Sequence, residues 1–143
     1  MTNPVPVLPL QRDLASAPFF DGTAQGQLLL RRCTSCEHWN APDTSSCGRC
    51  RSTTLSWTHA SGFGTVASWA VIHDRADPGH HTAVAIIELD EGPWIRAQLR
   101  SGAELIQTGM PVKTDYEAAA GGESIPVFFL VSGPSPENGK VSP

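Results

Sequence analysis

Short apolar runs rich in β-branched or aromatic residues fill most of the chain after residue 60. In one of them, apolar residues alternate with Arg96, Gln98 and Arg100, which gives one dry face and one wet face. Each run is bounded by Gly, Pro or Asp, as strands commonly are. The pattern predicts five β-strands, at 65–73, 82–90, 94–100, 110–117 and 125–131.

Five strands with no long helical period between them predict a small closed barrel, which leaves no sheet edge exposed. The segment 101–109 is long enough for a helical turn or two at most. Upstream, residues 13–26 predict a short helical segment broken by Gly22 and Gly26. Strands are predicted at 27–33 and 53–58, on either side of a cysteine-rich loop.

Two Cys-x-x-Cys pairs, Cys33 with Cys36 and Cys47 with Cys50, stand ten residues apart. This spacing lets each pair approach one metal ion from its own turn and complete the tetrahedral thiolate set that Zn²⁺ prefers. Because four thiolates leave no open position for water, the predicted zinc is structural, one per chain. It would hold together a ribbon that lacks a core of its own.

Other roles of the four cysteines remain open at this stage. Iron takes the same four-thiolate geometry in rubredoxin, and disulfides or a thioredoxin-like redox pair are further alternatives. Four arginines beside the cysteines are expected to offset the thiolate charge and to donate hydrogen bonds to sulfur; they are Arg31, Arg32, Arg49 and Arg51.

The predicted organisation has four parts: an arm with a short helix at 1–27, a zinc ribbon at 28–58, a barrel at 59–131 and a disordered tail at 132–143. Three prolines in the first nine residues rule out a helix there. With 143 residues and 40% hydrophobic content, the chain has room for one modest domain and a small module.

Charge and hydropathy exclude several function classes. The net charge is −4 and most basic residues are scattered, which weighs against nucleic-acid binding. No apolar run approaches the roughly 18 to 20 residues that cross a bilayer, and the N-terminus lacks a signal-peptide pattern. We therefore expect a cytoplasmic protein that binds neither nucleic acid nor membrane.

No catalytic residue is predicted, since the five histidines form no pattern typical of a catalytic or second metal site. His73 ends a predicted strand and could line the barrel mouth, whereas His80 and His81 are expected in a solvated loop. Phe19 and Phe20 are adjacent aromatics on the arm, which either cap the barrel or enter a partner. Three tryptophans, Trp57, Trp69 and Trp94, are expected in the core or on the barrel, with base stacking as the alternative.

The order of these parts resembles a known family. The chain resembles the acyl-CoA-associated OB-fold proteins with a rubredoxin-like zinc ribbon. The features that carry the resemblance are a short aromatic segment, a Cys₄ ribbon with Pro42 between its two Cys-x-x-Cys turns (the knuckles), and the stretches "SGFGTVASWAVIH", "VAIIELDEG" and "LIQTGMPV". That family is also known as domain of unknown function thirty-five. The resemblance covers roughly residues 15 to 131.

This resemblance implies a mainly β fold with an N-terminal helical segment, a Cys₄ zinc ribbon and a five-stranded OB-fold barrel. Gly62, Gly64 and Thr65 would form the turn into the first barrel strand. Asp43 after the proline, and a second knuckle without proline, depart from the family pattern.

The resemblance also implies a function. Family members work as accessory subunits beside thiolase-fold enzymes, which include thiolases, acyltransferases and the aldolases that cleave side-chain acyl-CoA intermediates in bacterial steroid breakdown. The expected role is thus a non-catalytic subunit that docks on such an enzyme, in a heterodimer or heterotetramer, and helps complete its acyl-CoA site.

Two other functions remain possible from the residues alone. A free-standing acyl-CoA-binding protein would need converging cations, for which Arg75, Arg96, Arg100 and Lys113 are available. Single-stranded nucleic-acid binding is the other, because OB barrels and zinc ribbons both bind nucleic acid elsewhere.

Overall fold

The computed structural model describes residues 11–73, 75–77, 79, 81–100, 105–118 and 120–131. Within these ranges one helix precedes eight strands. The elements are α1 (Ala17–Ala24), β1 (Leu29–Cys33), β2 (Trp39–Asn40), β3 (Leu55–His59), β4 (Phe63–His73), β5 (His81–Leu89), β6 (Trp94–Leu99), β7 (Pro111–Glu117) and β8 (Ile125–Leu130). The fold is mainly β, as expected.

Helix α1 begins with a proline in its first turn, where a missing N–H costs nothing. The prediction that Gly22 breaks the helix is wrong, because Gly22 lies inside α1 and is buried. A Cβ at this position would come within 2.7 Å of Leu29 Cγ, so the glycine lets the helix pack closely on β1. Gly26, with φ +74, does follow the helix end, and its N–H donates to the carbonyl of Thr23 at 3.0 Å.

Three strands form the ribbon sheet, in the order β2-β1-β3. Both pairings of β1 are antiparallel, with Arg31 opposite Asn40 on one side and opposite Trp57 on the other. The two-residue strand β2 was not predicted, because a segment so short shows no hydrophobic period.

The remaining five strands close a barrel in the order β4-β5-β6-β8-β7, which confirms the five-stranded architecture. Closure is made by antiparallel pairing of β7 with β4, where Lys113 lies opposite Phe63. A β-bulge between Val66 and Ser68 bends β4, as is common in barrel strands.

Ribbon and barrel share one hydrophobic core. Leu28 and Leu30, before and within β1, are 1% and 0% exposed and belong to the same buried cluster as Ile87, Val112 and Phe128 of the barrel. Helix α1 is tied to the barrel by Thr23, whose buried hydroxyl donates to the carbonyl of Ser124 at 2.7 Å. The helix, the ribbon and the barrel are therefore held in fixed relation to one another.

Some expectations are corrected and others fall outside the described residues. Trp69 and Trp94 lie on barrel strands, one of the two places expected for them, and are 39% and 58% exposed. The predicted turn at Gly64 is already part of β4. The first ten residues, the tail 132–143, the segment 101–104 and His80 are outside the described ranges. No described helix is long and apolar enough to cross a bilayer.

Candidate metal centre and aromatic groove

The structure brings the four cysteines together at the tip of the ribbon. Their Sγ atoms all lie within 4.8 Å of one another. Cys33 and Cys50 are 3.5 Å apart at sulfur, and Cys36 and Cys47 are 3.6 Å apart. Four Zn–S bonds of about 2.3 Å in a tetrahedron give sulfur–sulfur edges of about 3.8 Å. The spacing therefore fits one tetrahedral metal ion.

The two knuckles are built alike. In each, the backbone N–H two residues after the first cysteine donates to its sulfur, at 3.3 Å from Ser35 and 3.4 Å from Arg49. Each turn then closes through a residue in the left-handed region, Glu37 with φ 68 and Arg51 with φ 69. Backbone donors aimed at sulfur stabilise the thiolate form that binds metal.

The electrostatics of the four thiols call for a cation. The backbone N–H of Cys50 lowers the pKa of Cys47 to about 6. The N–H of His38 lowers the pKa of Cys36, but burial and neighbouring cysteine sulfurs outweigh it and raise that pKa to about 12. Four thiols this close cannot all ionise without a positive ion between them. The donor set fits Zn²⁺, which the sulfurs of all four cysteines could hold.

In the described part of the chain, the guanidinium groups of the ribbon arginines do not donate the hydrogen bonds to sulfur that the sequence led us to expect. The guanidinium of Arg31 lies 4.7 Å from the ring centroid of Trp57, and that of Arg32 lies 5.1 Å from that of Trp39. Among the described contacts, the donors to cysteine sulfur are backbone or thiol groups and not guanidinium groups. The two strand arginines brace the faces of the ribbon through cation–π contacts.

A groove runs between α1, the loop that joins the two knuckles, and β6. Its two parts have volumes of about 340 Å³ and 270 Å³ and share Phe19, Pro42 and Asp43. Arg31 lines the first part and Arg96 the second. We call it the aromatic groove and define it by five of its lining residues, the four aromatic ones and the shared proline: Phe19, Phe20, Trp57, Trp94 and Pro42.

The contact residues proposed from the sequence divide into two groups. Phe19, Phe20 and Arg96 meet in the aromatic groove, with the two phenyl rings in a T-shaped contact at 5.3 Å. The other three, His73, Arg75 and Arg100, line neither part of it.

Arg100 is committed elsewhere, because its Nε donates to both carboxylate oxygens of Glu117 at 3.0 and 2.9 Å. His73 ends β4 and faces His81 across the strand pair, with ring centroids 5.7 Å apart. The prediction that His81 lies in a loop is wrong, since it begins β5. Arg75 is exposed beyond the end of β4.

Sequence reasoning did not assign Arg31, Pro42, Trp57 and Trp94 to this surface. A strand pattern shows which residues share a face but not which other element lies beside that face. The aromatic character of Trp57 and Trp94, in a chain with four tryptophans, was the available signal.

Two family models match consecutive parts of the chain. Residues 20–56 match the ChsH2 rubredoxin-like zinc ribbon domain, and residues 57–117 match the ChsH2 C-terminal OB-fold domain. The two matches meet within β3, where the ribbon sheet gives way to the barrel.

Curated relatives include two subunits of CoA hydratases. The chain is 32% identical over 116 residues to a probable enoyl-CoA hydratase alpha subunit of Thermomonospora curvata, covering 79% of this chain and 36% of that protein. It is 32% identical over 107 residues to the 3-oxo-4,17-pregnadiene-20-carboxyl-CoA hydratase alpha subunit of Mycobacterium tuberculosis, covering 71% and 33%. The chain thus spans about a third of the length of each.

Solved structures give a closer match in length. A chain of the Ltp2-ChsH2(DUF35) aldolase superposes with a TM-score of 0.70 and 29% identity, covering 90% of this chain and 98% of that one. A DUF35 protein of unknown function from Sulfolobus solfataricus shares the fold, with a TM-score of 0.59 at 18% identity, covering 71% and 77%. The chain belongs to the ChsH2 (DUF35) family of proteins that join a rubredoxin-like zinc ribbon to an OB-fold barrel.

Proposed function

We propose that this chain is a non-catalytic accessory subunit of a thiolase-fold acyl-CoA enzyme. The partner would be a thiolase, an acyltransferase or a side-chain aldolase of steroid or lipid degradation. The similarity to nearly the whole length of a chain in the Ltp2-ChsH2(DUF35) aldolase supports this, as do the relatives named as CoA hydratase subunits. The observation that carries the proposal is the aromatic groove.

The aromatic groove has the composition of a protein interface. Tryptophan and arginine are the residues most enriched among binding hot spots, and the groove holds both, with Trp94 58% exposed. Its walls come from α1, the ribbon and β6, which are packed on one core. A rigid surface of this kind loses little entropy when a partner covers it.

The metal centre would act on the groove through the loop between the knuckles. Pro42 and Asp43 belong to both parts of the groove and lie between Cys36 and Cys47. We propose that one structural zinc per chain, held by Cys33, Cys36, Cys47 and Cys50, fixes this loop. The metal supplies cross-linking of the two knuckles and no reaction step.

Within the complex, the partner would supply the catalytic residues, and this chain one wall of the acyl-CoA site. A two-fold symmetric dimeric enzyme offers two equivalent docking sites, which gives a heterotetramer, while a monomeric one gives a heterodimer. We also propose the cytoplasm as the compartment, in keeping with four cysteines that form no disulfide.

A free-standing acyl-CoA carrier is the second candidate, because Arg31 and Arg96 both line the groove. The other cations named for this role do not join them: Arg100 pairs with Glu117, and Lys113 lines a different pocket. Asp43 also lines both parts of the groove and would oppose a phosphate. This charge distribution favours a protein partner.

The test is affinity capture from the native cytosol with the tagged chain, followed by mass spectrometry, zinc analysis and assay of the enzyme retained. We expect a thiolase-fold enzyme with about one zinc per copy of this chain. The purified enzyme should lose turnover or stability when this chain is removed and regain it on adding it back. Full turnover and stability without the chain would refute the proposal. Specific binding of acyl-CoA by the isolated chain, with no enzyme retained, would favour the carrier.

A further inference from the structure

Two histidines face each other at the turn end of the hairpin formed by β4 and β5. His73 is the last residue of β4 and His81 the first of β5, and the sheet register places them directly opposite each other. Residues directly opposite in an antiparallel pair project from the same face of the sheet, with Cβ atoms about 4.5–5.5 Å apart. The two imidazole rings accordingly lie side by side, with centroids 5.7 Å apart.

Both imidazole rings are exposed to solvent and available to a ligand. Within the described residues, no hydrogen bond or ion pair engages either ring. The ring planes are tilted by 49°, which is neither the offset-parallel nor the edge-to-face arrangement that aromatic pairs prefer. Ring packing therefore does not account for the pair, and the ring nitrogens have no other described partner.

The separation of the two rings fits a metal ion between them. Zn–N bonds of about 2.0–2.1 Å at a tetrahedral angle place the centres of two bound imidazole rings about 5.2 Å apart, since each nitrogen lies about 1.2 Å from its ring centre. The observed 5.7 Å differs from this value by about half an ångström, which small rotations of two exposed side chains supply. Imidazole is a preferred ligand of Zn²⁺, Ni²⁺ and Cu²⁺.

The surroundings of the pair leave part of the coordination shell open. Strand β4 pairs with β7 only through Phe63–Thr65, and the pairing of β5 with β6 begins at Ala83, so the turn end of the hairpin extends beyond its barrel neighbours. Among the described residues, no third His, Cys, Asp or Glu side chain joins the two histidines in a group that could hold an ion. Neither histidine lines the aromatic groove.

We propose that His73 and His81 form a second metal site, which binds a late first-row transition-metal ion such as Zn²⁺. The two imidazoles supply two ligands and water the remaining positions. Two neutral nitrogen ligands hold such an ion less tightly than four thiolates, so this ion exchanges with the solvent while the ion of the four cysteines is retained. The bound ion links β4 to β5 beside the turn and stabilises the end of the hairpin.

This site does not depend on the accessory function proposed above. Purification in metal-free buffer empties it, so the zinc counted in the captured complex is the structural ion alone.

The test is a titration of the full chain, carrying its structural zinc, with zinc chloride in metal-free buffer, followed by ¹⁵N NMR of the histidine rings. We expect saturable shifts at His73 and His81 with a single added ion per chain. His59 is the internal control, because it is also exposed but lies opposite Leu29 instead of another histidine. Mg²⁺ should give no response, since it prefers oxygen ligands.

Matched variants assign the ligands. His73→Gln and His81→Gln should each weaken zinc binding by about tenfold or more, because each removes one of the two protein ligands. His59→Gln should bind like the parent. Amide hydrogen exchange gives a second readout, in which added zinc should slow exchange in 70–72 and 82–84 of the parent but not of His73→Gln.

Several results would overturn the proposal. They are the absence of a saturable shift, shifts of equal size at His59, an equal response to Mg²⁺, and unchanged affinity of either glutamine variant at the histidine pair. Amide exchange that zinc leaves unchanged would contradict the link between the strands. The amide spectrum of each variant shows whether it is folded, and either variant suffices if the other is not.

Discussion

Replacing Gly64 with alanine tests the close approach of the paired strands β4 and β5 at the start of the barrel. Gly64 pairs with Leu89 on β5 and with Val112 on β7. A Cβ at this position would lie 2.5 Å from the carbonyl oxygen of Glu88 and 2.9 Å from Cγ2 of Ile87. The first is a backbone atom and the second belongs to a side chain that is 0% exposed, so neither can move away cheaply.

The expected loss of stability follows from that overlap. Ordinary contacts of a Cβ begin at 3.4 Å, so β5 would have to retreat by nearly an ångström and strain its pairing with β4. Overpacking costs about 1–3 kcal/mol, and a rigid backbone neighbour puts this site at the upper end. Alanine returns about 0.4–1 kcal/mol by restricting the unfolded chain. We expect a net loss of about 2 kcal/mol, or about 4–8 °C in Tm for a chain of this size.

Urea unfolding and calorimetry of Gly64→Ala measure this directly. Gly79→Ala is the matched control, because the nearest atom to its Cβ would be Asp77 Oδ1 at 3.8 Å, an ordinary contact. The control should stay within about 0.5 kcal/mol of the parent, as substitutions in open space usually do. Equal stability of the two variants would refute the argument that the close approach of β4 and β5 requires Gly64.

Three further predictions concern the metal centre and the titrating groups. Chelation of zinc, or Cys47→Ser, should unfold the ribbon, because metal binding at such sites supplies about 10–16 kcal/mol of folding free energy. Amide hydrogen exchange measures this, and protection should be lost first in the ribbon. The single tyrosine, Tyr116, should titrate near its pKa of about 12, raised by burial, when followed by absorbance at 295 nm. Its contribution to stability is fully present below about pH 10, the usual tyrosine pKa, and should be lost as the pH rises through about 12. Hydrogen bonds from Arg12 lower the pKa of Glu123. The stability that this pair contributes is therefore present above the ordinary glutamate pKa and is lost as the pH falls through the lowered pKa. Replacing the arginine, in Arg12→Gln, should flatten that part of an acid unfolding curve.

The barrel was predictable because its signal is local. Each of its strands carries enough β-branched and aromatic residues, with turn residues at both ends, to be recognised without its neighbours. The cysteine spacing was equally informative, since two Cys-x-x-Cys pairs admit few geometries. Strand β2 was not predicted because two residues are too few to show a hydrophobic period; they are a strand only because they pair with β1.

What the sequence could not supply was the relation between elements. Glycine has a low helix propensity, but close packing against Leu29 keeps Gly22 inside α1. A tryptophan side chain is usually well buried, but Trp94 lies on the outer side of the barrel beside Phe19 and Pro42. Arg31 was expected at sulfur and stacks on Trp57. In each case a contact with another element overrides the local preference.

The central claim is that the aromatic groove holds the thiolase-fold partner, and calorimetric titration of that enzyme with two tryptophan variants tests it most directly. Trp94→Ala removes an exposed ring from the groove, while Trp69→Ala removes a comparably exposed ring elsewhere on the barrel. Loss of a buried aromatic anchor costs about 2 kcal/mol or more, so Trp94→Ala should weaken binding by about thirtyfold. Trp69→Ala should bind like the parent. Unchanged affinity of a folded Trp94→Ala variant, or equal weakening by both substitutions, would contradict docking through this groove.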